Sequence, residues 1–464
     1  MSGLSEQHGQ SALIEELRAE NARLRRELSE ALKRIDSLEK INADLEARLK
    51  ELEREAARQA APFRREESKK VPPAEKKPPG RKPGHPGACR QVPEQIDEEV
   101  EVPLPCCPGC GGPVVDRTPL VQFIEEIPPV RPRVTRLVTW QAECPACGPV
   151  QSTHPLKTST GQGAAQVNLG PRALALAALL NKQLGVTMRK TCRVLAQGFG
   201  LSITPGGLSQ AMDRVAAKVE SSYDALLETL RSSDVVFADE TSWYVGKPGW
   251  WLWVFTNQEA TAYVVDESRG SQVVRDVLGD EFGGMLVTDC LATYDPIDCR
   301  KHKCIAHHQR AIAKARDRPD TKDVGYLDRW KQFFKTVVLL NNLRELLPPD
   351  DFAAKRQHLE GTCRQLLEEP VTQPGDVAVQ NRLLKQWPHL LGCLYEPAAE
   401  PTNNRSERQL RPAVIARKVS CGNKTARGKR TWEILTSLAA TCQQTGADFL
   451  DSLAPKLPLA SPAG

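Results

Sequence analysis

Residues 234–289 narrow the possible folds more than any other part of the chain. The apolar run Val235-Val236-Phe237-Ala238 stops at Asp239, two β-prone runs follow at 250–255 and 261–265, a helical pattern occupies 271–278, and Met285-Leu286-Val287-Thr288 stops at Asp289. Short apolar runs without alternating polar positions suit strands buried on both faces. Strand, strand, strand, helix, strand, with an aspartate closing the first and fourth strands, is the order of an RNase H-like α/β domain. It predicts two carboxylates on adjacent central strands. Such a pair can hold two divalent ions about 4 Å apart, which activate a water or a 3′-hydroxyl and stabilise the leaving oxygen during in-line attack on a phosphodiester. Taken singly, either aspartate reads equally well as a strand-end cap, for Glu240, Asp266 and Asp295 show how common acids are here.

A third carboxylate is needed from a later helix, and Glu407 in Pro401-Thr402-Asn403-Asn404-Arg405-Ser406-Glu407-Arg408-Gln409-Leu410-Arg411-Pro412 fits. Thr402 or Asn403 is the expected cap and Pro412 the expected end of that helix. Arg405, Arg408 and Arg411 fall on adjacent turns around Glu407, where they would hold DNA phosphates. Residues 405–430 contain nine Lys/Arg and a single acid, Glu407. The 118 residues from Asp289 to Glu407 exceed what one helix needs, and 325–347, 352–369 and 376–387 read as helices of an insertion.

The N-terminal part is different in kind. From residue 14 to 56 a heptad runs without Pro or Gly, with Ile14, Asn21, Leu28, Ile35, Asn42, Leu49 and Ala56 at one core position and Leu17, Leu24, Ala31, Leu38, Leu45 and Leu52 at the other. This predicts a parallel coiled-coil dimer, with the two Asn favouring register. A long amphipathic helix packed on its own protein is the alternative. Residues 62–90 then hold nine Lys/Arg, three Glu and seven Pro, the composition of an extended linker. Arg81 and Lys82 in its Gly-rich tail would lie along a phosphate backbone or in a minor groove; a plain spacer accounts for them as well.

Cys107-Pro108-Gly109-Cys110-Gly111-Gly112 is answered by Cys144-Pro145-Ala146-Cys147-Gly148. Each is a knuckle that places two thiolates on one side of a tight turn, and two knuckles make a tetrahedral, purely structural zinc site. Cys106 is an alternative ligand. The β-prone runs 121–127 and 134–142 would carry the second knuckle back to the first. Beyond them, 171–183, 187–197 and 205–219 read as three helices in a segment of formal charge +8 (131–220), consistent with a helix-turn-helix whose Ser209, Gln210 and Arg214 face a DNA groove. A helical connector with an incidental basic surface fits the same residues.

The chain has 464 residues, enough for roughly two to four domains. Its longest apolar run, 174–180, is far short of the roughly 18–20 residues of a membrane span. Its charged N-terminus lacks a signal-peptide core. A cytoplasmic protein without membrane contact is the expectation, with thiols reduced or metal-bound. The net charge of +5 conceals −9 over residues 221–300 and +6 over 401–464. An acidic block beside basic ones suits carboxylate-held metal next to a bound polyanion.

Ala238-Asp239-Glu240-Thr241, the run 250–255, Ser268-Arg269-Gly270, Val287-Thr288-Asp289 with Tyr294, Cys304-Ile305-Ala306-His307 with Arg310, and the Pro401 to Arg408 motif occur in order. Together with the zipper, the Gly80 to Gly87 motif and the ribbon, they resemble the transposases of the insertion sequence 66 family, bacterial DDE enzymes. His308-Gln309 departs from that pattern, in which apolar residues are more usual. The resemblance implies catalytic roles for Asp239, Asp289 and Glu407 with two Mg²⁺ (or Mn²⁺) ions, and zinc on Cys107, Cys110, Cys144 and Cys147. It places His307 and Arg310 on a helix facing substrate DNA, in preference to a second metal site built from His302, Cys304, His307 and His308. DNA-binding positions are expected at Arg81, Lys82, His307, Arg310, Arg405, Arg408, Arg411, Arg417 and Lys418.

The expected layout is a multidomain α+β chain. It comprises a coiled coil (1–60), a basic linker (61–92), a zinc ribbon (93–155), a helical DNA-binding segment (165–222), an RNase H-like core in two parts (230–310 and 399–450) and an all-helical insertion (311–398). The expected partners are the terminal inverted repeats of a mobile element, target DNA, further copies of the chain joined through the coiled coil, and accessory proteins of the same element, all at the bacterial nucleoid. The competing reading is a DNA-binding regulator, in which the catalytic core is a relic.

Overall fold

The computed structural model describes residues 90–152, 154–157 and 167–458, together with helical residues 20, 23, 27, 29, 30, 33–43 and 45. Most of the heptad repeat and nearly all of the linker, including Arg81 and Lys82, lie outside the described residues. Two units emerge, residues 1–89 and 90–464. In the first, residues 33–43 are one continuous helix. Ile35, Leu38, Ile41 and Leu45 stand exposed on it, and Asp36 pairs with Lys40 one turn on at 2.9 Å. That exposure agrees with helical periodicity and leaves these apolar side chains uncovered among the described residues.

In the second unit, the Cys144 knuckle is the turn of a small hairpin, β1 (Gln141–Cys144) with β2 (Gly148–Gln151). Residues 121–140 form no strand, contrary to the expected ribbon strands. Pro128, Pro129 and Pro132 remove ladder donors there, and the apolar side chains from Leu120 to Trp140 are largely exposed.

The main body is built on a five-stranded sheet in the order β5-β4-β3-β6-β7. Strands β3 (Val235–Val245), β4 (Lys247–Thr256) and β5 (Thr261–Asp266) form an antiparallel meander. A crossover helix, α5 (Ser271–Leu278), leads to β6 (Met285–Thr288), and β6 and β7 (Arg300–Lys303) then run parallel to β3. Period-2 alternation divides β3 between two cores. Val236 and Ala238 join the helices before the sheet, α1 (Pro171–Ala178), α2 (Met188–Phe199), α3 (Pro205–Lys218) and α4 (Glu220–Arg231), while Val235 and Phe237 face the opposite side. α1 runs on into a π-helical turn, Leu179–Gln183. Ser209, Gln210 and Arg214 are exposed on α3, but α1 to α3 share one apolar core with the sheet and are not a separately packed module.

The second core is the insertion: α6 (Ile305–Arg316), α7 (Gly325–Asn342), α8 (Pro349–Glu368) and α9 (Pro374–Lys385), packed on Val235, Phe237, Met285 and Val287. The chain returns through α10 (Asn404–Ser420), α11 (Ala426–Thr445) and α12 (Phe449–Leu453).

Helix α11 covers the free edge of β5. The outward N–H groups of Thr261, Tyr263 and Val265 donate to Thr441 Oγ1 (3.0 Å), Ser437 Oγ (2.9 Å) and Glu433 Oε1 (2.6 Å). Helical spacing of four residues thus matches strand spacing of two, and an edge that would otherwise recruit another strand is closed.

Candidate active site

The geometry of the acidic site follows from strand register. β3 pairs with β6 in parallel, from Val235 with Met285 to Phe237 with Val287; Asp239 lies two residues past the last pair on β3, and Asp289 directly follows the last residue of β6. By strand alternation Asp239 shares the face of Phe237, just past the paired segment. Asp239 Oδ1 accepts the N–H of Glu240 at 2.9 Å, and Asp289 Oδ1 accepts that of Leu291 at 2.8 Å. These bonds hold each carboxylate against its own backbone.

Glu407 occupies the first turn of α10. The residue before that helix, Asn403, is fully buried, but its side chain does not cap the helix. It reaches instead to the strand: Nδ2 donates to Ala238 O at 2.8 Å, while its backbone N–H points at Cys304 Sγ at 3.1 Å. Asn403 thus ties the start of the Glu407 helix to the residue before Asp239 and to the residue before α6. From sequence alone Asn403 is only a candidate cap, because Ala238, to which it bonds, is 165 residues away.

Pro412 does not end α10, which continues to Ser420. Proline removes the donor for the carbonyl four residues earlier. One residue along, Gln409 O accepts the hydroxyl of buried Tyr263 at 2.5 Å, so a tertiary bond supports the weakened turn.

Asp239 is partly buried, and its pKa is raised well above the usual carboxylate range, first by desolvation, then by Glu240, Asp289 and Glu407. Like charges that raise one another are costly without a counter-charge. Glu240 itself points to the other face, where Arg269 Nη2 (2.8 Å) and the Tyr294 hydroxyl (2.7 Å) bind it. Arg310 Nη2 lies 3.5 Å from Glu407 Oε1, and its Nη1 donates to His307 Nε2 at 3.1 Å. The pKa of His307 is lowered, by burial first and then by Arg310, against the opposing pull of Asp289 and Glu407.

The other predicted positions divide by their surroundings. Arg405 is engaged by Glu400 at 2.7 Å and stacks over Phe237, and Arg417 donates to Ser242 and Thr241 on β3. Both therefore brace α10 through contacts within the chain. Arg408, Arg411 and Lys418 are exposed. His302 is fully buried with Nε2 on Pro401 O at 3.1 Å, and His308 stacks on Phe334, so neither turns toward a metal cluster.

Each cysteine knuckle is formed locally. Cys107 N–H donates to Gly112 O and Gly111 N–H to Cys107 O, with Gly111 (φ 72°) and Gly148 (φ 76°) in the left-handed region. The thiol pKa values of Cys107 and Cys144 are lowered, chiefly by backbone N–H groups of Gly109 and of Ala146. Among the described residues no group of three or more His, Cys, Asp or Glu side chains is assembled as a metal cage, so the two knuckles are not closed on one another and the three carboxylates are not drawn into a finished cage.

Comparison with known sequences gives this arrangement a context. A sequence model of the transposase IS66 family matches residues 166–431, more than half of the chain, from before α1 to the start of α11. Two curated relatives come from Sinorhizobium fredii (strain NBRC 101917 / NGR234). The uncharacterized protein y4jD is 23% identical over 392 residues, covering 76% of this chain and 74% of the relative. The uncharacterized protein y4qI is 24% identical over 292 residues, covering 56% and 53%, so the chain spans about half the length of that relative. With the matched region enclosing Asp239, Asp289 and Glu407, the chain belongs to the IS66 family of transposases.

Proposed function

We propose that this transposase cuts DNA at the ends of its mobile element and joins the freed 3′-hydroxyls to target DNA, through an RNase H-like DDE site formed by Asp239, Asp289 and Glu407. The observation that carries the reading is strand order: Asp239 lies on β3 and Asp289 directly follows the adjacent parallel strand β6, with Asp289 and Glu407 among the charges that raise the pKa of Asp239. This donor set suits hard divalent cations, for it offers only carboxylate oxygens and its mutual repulsion falls when a cation enters. Asp239, Asp289 and Glu407 would hold two Mg²⁺ or Mn²⁺ ions, which when bound supply Lewis-acid polarisation of the phosphate and lower the pKa of the attacking hydroxyl.

The chain's own groups do the rest. The carboxylates stay ligands and form no covalent bond to DNA. A water oxygen bonds to phosphorus as the 3′-oxygen leaves; the resulting 3′-hydroxyl then attacks a target phosphodiester and displaces its 3′-oxygen. Arg310 and His307 orient the phosphate beside Glu407, and the exposed Arg408 and Arg411 bind the backbone further along α10. The knuckle thiols Cys107, Cys110, Cys144 and Cys147 are chemically suited to a structural Zn²⁺. The heptad would join two copies, so that both element ends are held together.

The deciding experiment incubates the purified chain with labelled duplexes carrying its element ends and Mg²⁺, alongside Asp289→Ala. End-specific cleavage or joining that drops by about 10³-fold or more in the variant is expected; equal activity in the two proteins would sink the triad.

A further inference from the structure

The backbone ladder between β3 and β6 ends at Phe237 and Val287 and so stops short of both aspartates. A set of side chains on the sheet's other face continues the connection. Glu240, next to Asp239, is buried there, and its Oε2 accepts the hydroxyl of Tyr294, at 2.7 Å, from the 3₁₀ turn Ala292–Tyr294 that follows Asp289. Its Oε1 accepts both Nε (3.2 Å) and Nη2 (2.8 Å) of Arg269. Arg269 closes the ring, for its backbone carbonyl accepts the Thr293 hydroxyl at 2.8 Å. Three segments are thereby joined: β3 at Glu240, the loop after β5 at Arg269, and the turn after Asp289 at Thr293 and Tyr294. Aromatic packing holds the ring in place. Trp253, the β4 partner of Glu240, meets the buried Tyr294 ring edge-on at 6.0 Å and donates its Nε1 hydrogen to Ser268 O at 3.2 Å. The Arg269 guanidinium lies 4.2 Å from the centre of the Trp251 ring.

A buried ion pair is a poor source of stability, because well-packed apolar side chains of similar volume commonly do as well without desolvating charge. Its directional bonds supply register instead, and the register set here is that of the chain at Asp239 against the chain at Asp289. We propose that Glu240 and Tyr294, braced by Arg269, are positioning residues that set the spacing of Asp239 and Asp289 and thereby the hold of the acidic centre on divalent cations. Glu240 acts from behind the site, with both its oxygens engaged on the opposite face of β3. The inference rests on the reading of Asp239, Asp289 and Glu407 as a metal site and deepens it.

The test titrates the full chain with Mn²⁺ in the absence of DNA and follows the free-ion electron paramagnetic resonance signal; the binding lost in Asp289→Ala defines the carboxylate component. Tyr294→Phe removes one oxygen, changes no charge and keeps the packing on Trp253. It is expected to weaken that component about 10–100-fold, the usual effect of removing a partner that orients a metal ligand. The Mg²⁺ concentration for half-maximal cleavage of an end-bearing duplex should rise by a similar factor, with DNA affinity in the absence of divalent ions unchanged. Tyr326→Phe removes another buried hydroxyl, bonded to Leu366 O in the insertion, and should bind Mn²⁺ as wild type. A folded Tyr294→Phe protein with wild-type Mn²⁺ affinity overturns the proposal, as does an equal loss in Tyr326→Phe. If Tyr294→Phe does not fold, Thr293→Val opens the same ring at its bond to Arg269 O, and a few-fold loss of Mn²⁺ affinity supports the proposal where wild-type affinity overturns it. Mn²⁺ binding that is identical in Asp289→Ala and wild type would refute the metal-site reading, and this inference with it. A carboxylate component that is present but indifferent to the Tyr294 hydroxyl would refute this inference alone.

Discussion

Asp239 sits where its own charge is disfavoured. Burial and three neighbouring carboxylates hold its folded pKa above the ordinary 3.8, so the metal-free folded chain keeps a proton that the unfolded chain has released. Proton linkage fixes the sign: stability without divalent ions falls as pH rises from that ordinary value toward the raised one, and stays low at neutral pH. Asp239→Asn is therefore expected to raise the metal-free melting temperature at neutral pH, by on the order of 1 kcal/mol or about 2–4 °C for a domain of this size, while abolishing cleavage. Thermal melts of the two proteins with and without Mg²⁺ check this, since the ion should stabilise wild type more than the variant. A melting point lowered by the substitution would count against the converging acids. Asn403 belongs to the same scale. Asn403→Ala removes the bond to Ala238 O, and it should lower strand-cleavage rate with little change in DNA affinity, the pattern of a positioning residue.

At the scale of elements, the pairing of α11 with β5 makes its own prediction. Ser437→Ala leaves the Tyr263 N–H buried and unpaired, which should cost about 1–3 kcal/mol in urea denaturation and speed amide exchange at Tyr263. Unchanged exchange would mean the edge is protected in some other way. The same scale explains what could be read from the residues. The helix at 271–278 and the strand at 285–288 appear at the expected boundaries because an apolar period and its flanking Gly or Asp are local signals. β7 escaped notice because Arg300-Lys301-His302-Lys303 looks like exposed loop. It is buried only because tertiary acceptors await each side chain: Ile297 O for Lys301, Asp295 at 3.2 Å for Lys303 and Pro401 O for His302. Helix α4 was missed as well. The continuation of α10 through Pro412 depended on Tyr263, some 150 residues earlier, and Phe237 under Arg405 and Thr241 beside Arg417 are equally remote in sequence. Basic composition marked the region around Glu407 but could not sort its arginines into packing and open ones. The adjacency of the strands that carry Asp239 and precede Asp289 was legible in the apolar runs before them, although β3 does not stop at Asp239 but continues to Val245.

At the scale of the whole molecule, the sheet and the insertion enclose two uncharged histidines. Burial pushes His302 down to about 4 and His308 to about 3, so the unfolded chain takes up protons that the folded one refuses. Their stabilisation is complete above about pH 6.5 and is lost as pH falls from there toward 4, by up to roughly 3 kcal/mol for each. His308→Phe, which keeps the stack on Phe334, should reduce the acid-induced fall in melting temperature between pH 6.5 and 4. An identical acid limb in that variant would place the titrating groups elsewhere.

The insertion begins and ends at one place: Ile305 N–H donates to Pro401 O at 3.0 Å, beside the Asn403 contacts. A polypeptide excursion pinned at its own neck behaves as a cassette. Because closing a longer loop costs only about 0.6 kcal/mol for each doubling of its length, helices can be gained, lost or exchanged beyond α6 while Asp289 and Glu407 keep their spacing. Descendants of this chain are thus free to diversify the cassette at little risk to the placement of Asp289 and Glu407.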